Sequence, residues 1–257
     1  MRSAYTIGRI AGVDLKMHVT FPLLLVWIAY RDWTYAGPAA AAAGVVLVLA
    51  VFGCVVLHEF GHVLMARRYG IQTRDVVLLP IGGVARLQYF PTDPRQELLI
   101  ALAGPAVTLA IAAALLLVVR GLGLADTPIA TLTVFGHGFL YNLLVINVYI
   151  LLFNLIPAFP MDGGRVLRAL LSSRLGLLRG TRLAVGVGKA LAVTFALLAI
   201  FSGPPPNWFL LLIAAFVFMA AGAEGAAVEA QLRHVPPPPP PPGVPTSTAS
   251  PPQSRSN

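Results

Sequence analysis

The chain has 257 residues, 57% of them hydrophobic and only 11% charged, with a net charge of +8. Soluble domains carry about 25% charged residues, so a water-facing surface is excluded and the bilayer becomes the expected solvent. The positive charge reads as the basic excess of loops held in the cytoplasm, not as a nucleic-acid patch, because no basic run is interleaved with aromatics.

A helical crossing needs roughly 20 apolar residues. Residues 1–18 are mixed, with Arg2, Arg9, Asp14 and Lys16, and suggest no regular element and no cleavable leader. The first crossing is expected at Val19–Tyr30, extended weakly to Tyr35, with Arg31 and Trp33 at the far interface. The second, Pro38–Leu57, holds no charge, leads directly into His58-Glu59-Phe60-Gly61-His62 and ends at Arg67-Arg68. Between 75 and 89 a strand-like run, the turn Pro80-Ile81-Gly82-Gly83 and an alternating run predict a β-hairpin. An open β edge is not tolerated in lipid, so the hairpin must pack on protein or line a cavity.

Leu98–Val119, with Gly104-Pro105, is the third expected crossing, and Thr131–Ile156, with Asn142, Asn147 and Asn154, the fourth. Gly163–Arg182 reads as an amphipathic, Arg-rich connection, followed by crossings at Leu183–Ser202 and Trp208–Ala223. Beyond them Pro236–Pro242 is unbroken proline, expected to be extended and solvated. The expectation is an all-α polytopic membrane protein with six transmembrane helices and a small membrane-associated β-hairpin. Residues 1–230 form the core and 231–257 a disordered proline-rich tail. Six crossings put both termini on one side. That side collects Arg67, Arg68, Arg74, Arg86, Arg165, Arg168 and most other basic residues, against Arg31 and Arg120 opposite, which places the termini in the cytoplasm.

His58 and His62 stand four apart on a helix, so both rings leave one face and can share a metal, and neutral imidazole suits Zn²⁺. Glu59 lies beside them, placed to take a proton from water activated at the metal. Ionisable groups at the end of an apolar crossing are functional by default. Catalytic zinc takes three protein ligands and leaves one position open. Asp162, in Asn154-Leu155-Ile156-Pro157-Ala158-Phe159-Pro160-Met161-Asp162-Gly163-Gly164, is the candidate third ligand; by spacing alone it serves equally as the N-cap of the following helix. Cys54, the one cysteine, forms no internal disulfide and reads as a packing residue one turn before His58.

Over about residues 5–225 the chain resembles the site-2 protease family of intramembrane zinc metalloproteases. The likeness rests on His58-Glu59-Phe60-Gly61-His62, the 154–164 stretch, Leu79-Pro80-Ile81-Gly82-Gly83 and Ala103-Gly104-Pro105. The resemblance implies that His58, His62 and Asp162 ligate one zinc ion and that Glu59 is the catalytic acid/base. It implies a site sunk below the cytoplasmic face of a bacterial cell membrane. It also implies a single-pass membrane protein as substrate, such as an anti-sigma factor, a pro-sigma factor or a remnant signal peptide. Asn154 matches a family asparagine that positions substrate or steadies an oxyanion; an interhelical hydrogen bond is the other reading. Relatives often have asparagine three residues after the Gly-Pro of the third crossing. This chain has Thr108, which puts a polar packing role there in doubt. The rival readings are an inactive family member and a metal-binding or metal-transporting membrane protein.

Overall fold

Gly37 determines how the chain first enters and leaves the membrane. In the computed structural model, which describes residues 4–80, 82–88, 91–123 and 137–233, helix α1 (Thr20–Arg68) is interrupted where Gly37 takes φ 85° and ψ −176°, with Pro38 next. A left-handed φ suits glycine, and proline withholds a helix donor, so the helix breaks there and doubles back. The Phe21 and Phe52 rings meet edge to face with centroids 4.5 Å apart, and Gly44 lies against Ile28 and Asp32. The first two expected crossings are therefore the limbs, 20–36 and 38–68, of one helical hairpin.

Residues 4–18, for which the sequence suggested no element, form β1 (Ala4–Ile10) and β2 (Val13–His18). The chain turns between them at Ala11 and Gly12, both with positive φ. β2 runs parallel to β3 (Thr73–Leu79), which pairs antiparallel with β4 (Gly82–Leu87), in the order β1-β2-β3-β4. The expected hairpin is thus half of a four-stranded sheet, and the physical reason is burial. Val13 and Leu15 of β2 join Val76 and Leu78 of β3 against Phe21, Phe52 and Val63 of both limbs of α1. Asp75, 2% exposed, accepts hydrogen bonds from Lys16 Nζ at 2.6 Å and from the Arg86 guanidinium, and so ties β2, β3 and β4 together. Arg86 beside it holds the Asp75 carboxyl below the usual carboxylate range.

Helix α2 (Pro94–Gly121) starts with Asp93 accepting from the Arg95 amide at 2.9 Å and with proline in its first turn. α3 (His137–Asn154) is the fourth crossing, of which 131–136 lie outside the described residues. The connection expected over 163–182 is instead α4 (Asp162–Leu175), a break at Gly176 with φ 80°, and the opening turns of α5 (Leu177–Phe201). α6 (Trp208–Arg233) completes the chain's described part and carries helix three residues into the expected tail, which from 234 lies outside the described residues. By length and composition α1, α2, α5 and α6 suffice to cross a membrane, and α3 is a shorter apolar helix. With α1 doubled on itself, the fold is the six-crossing helical membrane fold expected.

Arg168, counted from the sequence with the cytoplasmic-side charges, is not on the surface. It is 1% exposed, donating from Nε to Glu97 of α2 at 2.6 Å and from Nη1 to Glu224 of α6 at 2.8 Å. An arginine in an amphipathic run reads as surface until the tertiary partners are known, because burial of a charge becomes tolerable only when it is paired.

Candidate metal centre

His58 and His62 lie on the inner limb of α1, one helical turn apart, and both are buried. Each ring is oriented from behind by α2. The Nδ1–H of His62 donates to the Ile100 carbonyl at 2.7 Å. Since a carbonyl only accepts, the Nε2 of His62 carries the free lone pair. The Nδ1 of His58 lies 2.8 Å from Thr108 Oγ1, whose hydroxyl is in reach of the Gly104 carbonyl at 3.4 Å. With that hydroxyl donating to Gly104, it accepts the Nδ1–H of His58, and His58 Nε2 is free in the same way. Thr108 therefore fills the polar role the sequence had left in doubt. Helix residues of this kind commonly bond back to the carbonyl four residues earlier; Thr108 does so and holds a histidine as well.

Asp162 opens α4, but Met161 is the N-cap residue and no side chain caps the helix. The carboxylate turns the other way. Asp162 Oδ2 stands 3.1 Å from His58 Nε2 and 3.2 Å from His62 Nε2, and the two Nε2 atoms are 3.2 Å apart. The N-cap alternative is thereby set aside. Two glycines permit the turn. A Cβ on Gly163 would strike the carbonyls of Leu155 and Ile156, and one on Gly164 would come within 2.6 Å of the Ala158 carbonyl carbon. Gly104 of α2 has a parallel role: an added Cβ would overlap His62 Nε2 and approach His58 Nε2 to 2.7 Å.

The donor set fits a divalent cation. Three acceptor atoms, two imidazole lone pairs and a carboxylate, converge from two helices and lie within 4.8 Å of one another. With both Nδ1–H groups committed elsewhere, the neutral rings turn their Nε2 lone pairs toward Asp162, an arrangement that a shared cation would hold together. Two nitrogens and one oxygen are the chemistry zinc accepts, with an open position remaining. The acceptors behind both rings give the outer-shell orientation that zinc histidines normally have.

Glu59, next to His58 but about 100° round the helix, takes no part in this cluster. Its Oε2 accepts from the Ala85 amide of β4 at 3.1 Å, and its side chain packs against Gly83. Asn154 ends α3, half-buried, and among the described residues its side chain makes no hydrogen bond, so the interhelical bond is not formed. Cys54 is half-buried and outside the cluster. His18 bonds Thr20 Oγ1 at 2.8 Å at the start of α1. His137 begins α3, and its side chain is outside the described residues.

A six-crossing membrane fold with a two-histidine, one-aspartate cluster at one end defines an intramembrane metallopeptidase architecture. The chain belongs to peptidase family M50, whose model matches residues 46–133 and 123–198. A zinc metalloprotease of Methanocaldococcus jannaschii is 37% identical over 231 residues, covering 90% of this chain and 63% of that protein. Stage IV sporulation protein FB of Bacillus subtilis is 28% identical over 172 residues, 66% of this chain and 52% of that protein. This chain thus spans 63% of the length of the first relative and 52% of the second. The solved site-2 protease from Methanocaldococcus jannaschii superposes with a TM-score of 0.61 at 36% identity, covering 86% of this chain and 95% of that one. The resemblance drawn from the motifs is borne out.

Proposed function

We propose that this protein is an intramembrane zinc endopeptidase that cleaves peptide bonds within or beside membrane-spanning segments. His58, His62 and Asp162 hold the ion, and Glu59 moves the proton. The observation that carries this reading is the convergence of His58 Nε2, His62 Nε2 and Asp162 Oδ2 beside a carboxylate that is not part of their cluster. Zinc, when bound, supplies Lewis acidity and a water whose pKa is lowered to about 7. Glu59 keeps Oε2 on the Ala85 amide, which leaves Oε1 to take the proton of the attacking water and return it to the leaving nitrogen. Asn154, with its amide uncommitted among the described residues, is the proposed donor to the substrate carbonyl as negative charge builds there.

The sheet supports a mode of substrate binding. The Ala85 N–H points to Glu59, hence away from β3, and β4 is the last strand of the sheet. The edge of β4 that no described strand pairs with therefore faces Glu59. A membrane helix hides its carbonyls in its own hydrogen bonds, and an unwound segment adding to this edge would present them beside Glu59. The substrates suggested are single-pass membrane proteins, among them anti-sigma factors, pro-sigma factors and remnant signal peptides, acted on from the cytoplasmic side of a bacterial membrane.

The test is cleavage of a single-pass model substrate by the purified protein in lipid nanodiscs. Wild type is expected to cut within or next to the membrane segment. Glu59→Gln is expected to bind zinc with wild-type stoichiometry and to lose at least about 100-fold in rate, the lower range for general acid–base groups. Zinc binding with equal cleavage by both forms removes Glu59 from its role, and zinc binding with no cleavage by wild type favours a metal-binding or inactive protein.

A further inference from the structure

Arg168 is among the largest fully buried side chains of the molecule, and no part of the chemistry above employs it. It sits on α4 less than two turns after Asp162. Its Nε donates to Glu97 Oε1 at 2.6 Å and its Nη1 to Glu224 Oε1 at 2.8 Å. Its guanidinium lies 5.2 Å from the centroid of the Phe159 ring. Phe159 belongs to the segment that turns the chain from α3 into α4, and it packs with Ala184 of α5 and Ala221 of α6. A buried ion network is poor evidence of stability, because apolar residues of similar volume often serve as well. Its value lies in what it fixes.

What it fixes is the separation of the two halves of the metal centre. Glu97, 0% exposed, lies one turn before Ile100 on α2, and α2 also bears Gly104 and Thr108. That helix orients both histidine rings through the Ile100 carbonyl and Thr108 Oγ1. Asp162 comes from the other half, on α4. Among the described residues, the side-chain hydrogen bonding between α2 and α4 is supplied by Arg168. The cluster tolerates little error here, since Asp162 Oδ2 must stand at 3.1 Å from one Nε2 and 3.2 Å from the other.

We propose that Arg168 is a positioning residue for the metal centre. Bonded to Glu97, it holds the helix bearing the aspartate at a set distance from the helix that orients the histidines, and Glu224 fastens α6 to the same point. This inference rests on the assignment of His58, His62 and Asp162 as ligands.

Cobalt(II) binding to the full-length protein tests it without any need for catalysis. Affinity is read by chelator competition, the ligand set by the visible absorption bands, and folding by helical circular dichroism and the unfolding temperature. Arg168→Met, folded, is expected to bind cobalt about 10-fold more weakly and with altered bands. This is the low end of what loss of a ligand's own hydrogen-bond partner costs, because Arg168 acts on the ligands only through α2 and α4. Arg168→Lys, which keeps a donor for Glu97, is expected to recover part of the loss. A folded Arg168→Met with wild-type affinity and bands overturns the proposal. If Arg168→Met does not fold, Glu97→Gln, which keeps the shape and drops the charge, decides by the same two readouts. Wild-type protein that binds no cobalt overturns the ligand assignment and this inference with it; binding by wild type with unchanged variants overturns the positioning role alone.

Discussion

The tautomers of two histidines rest on one carbonyl and one hydroxyl. His62 has the Ile100 carbonyl, which no substitution of a side chain removes, whereas His58 depends on Thr108 Oγ1 at 2.8 Å. Thr108→Val keeps the volume and removes the acceptor, so the Nδ1–H of His58 loses its partner in a site that is 1% exposed at position 108. Zinc affinity is expected to fall about 10- to 100-fold, while Thr108→Asn, whose side-chain oxygen reaches as far, stays near wild type. Competition with a chromophoric chelator measures both, and a valine variant with unchanged affinity removes Thr108 from the centre. The three residues that cluster were legible as candidates in the sequence for a physical reason. Four-residue helical spacing and a Pro-Pro-Gly-Gly environment around an acid are local patterns. Thr108 was not legible as a partner of His58, because a threonine in an apolar helix looks the same whether it bonds only its own helix or also reaches across to another.

At the scale of elements, β4 joins the sheet to the chemistry. Ala85 donates to Glu59 and not to β3, so proline at this position removes no ladder hydrogen bond, the condition under which edge strands accept proline. Ala85→Pro should leave the sheet and the bound zinc intact. It removes both the anchor of Glu59 Oε2 and one outward donor that an added strand would need. Cleavage is expected to drop at least about tenfold, the cost of roughly one hydrogen bond to a charged group, with hydrogen exchange of β3 amides unchanged. Wild-type cleavage by a folded Ala85→Pro protein would remove β4 from substrate binding. The sheet shows where sequence reading stops. β3 and β4 announced themselves by an apolar run and a Gly-Gly turn. β2 has the same alternation, with Val13 and Leu15 inward, but it is six residues long and carries Asp14 and Lys16. What makes it a strand is parallel pairing with a segment some sixty residues later, and that pairing leaves no local trace. Arg168 is the same lesson among helices, since its partners at 97 and 224 are equally remote.

For the molecule as a whole, the count of crossings decides which face of the membrane sees the product. Gly37-Pro38 makes two crossings of α1, and α2, α3, α5 and α6 bring the total to six, an even number. The metal cluster then lies at the end of the bundle that holds the sheet, α4 and the basic pair Arg67-Arg68 at the foot of α1. At 1.5 Å rise per residue, His62 and His58 stand about 9 and 15 Å along α1 from Arg68, inside the apolar length and within reach of that one surface. The far ends of the helices carry Arg31 and Arg120. Arg168, paired and buried, drops out of the charge comparison, yet Arg9, Lys16, Arg67, Arg68, Arg74, Arg86, Arg95, Arg174, Arg179 and Arg182 still outweigh those two. The excess of basic residues in the short loops at this end predicts that the sheet, the cluster and both termini face the cytoplasm. A green fluorescent protein fused after the C-terminus should fluoresce, and alkaline phosphatase at the same place should be inactive. Phosphatase inserted at the Gly37 break should be active. The reverse pattern would turn the molecule over, placing the cluster, and the fragment released from it, on the outer face.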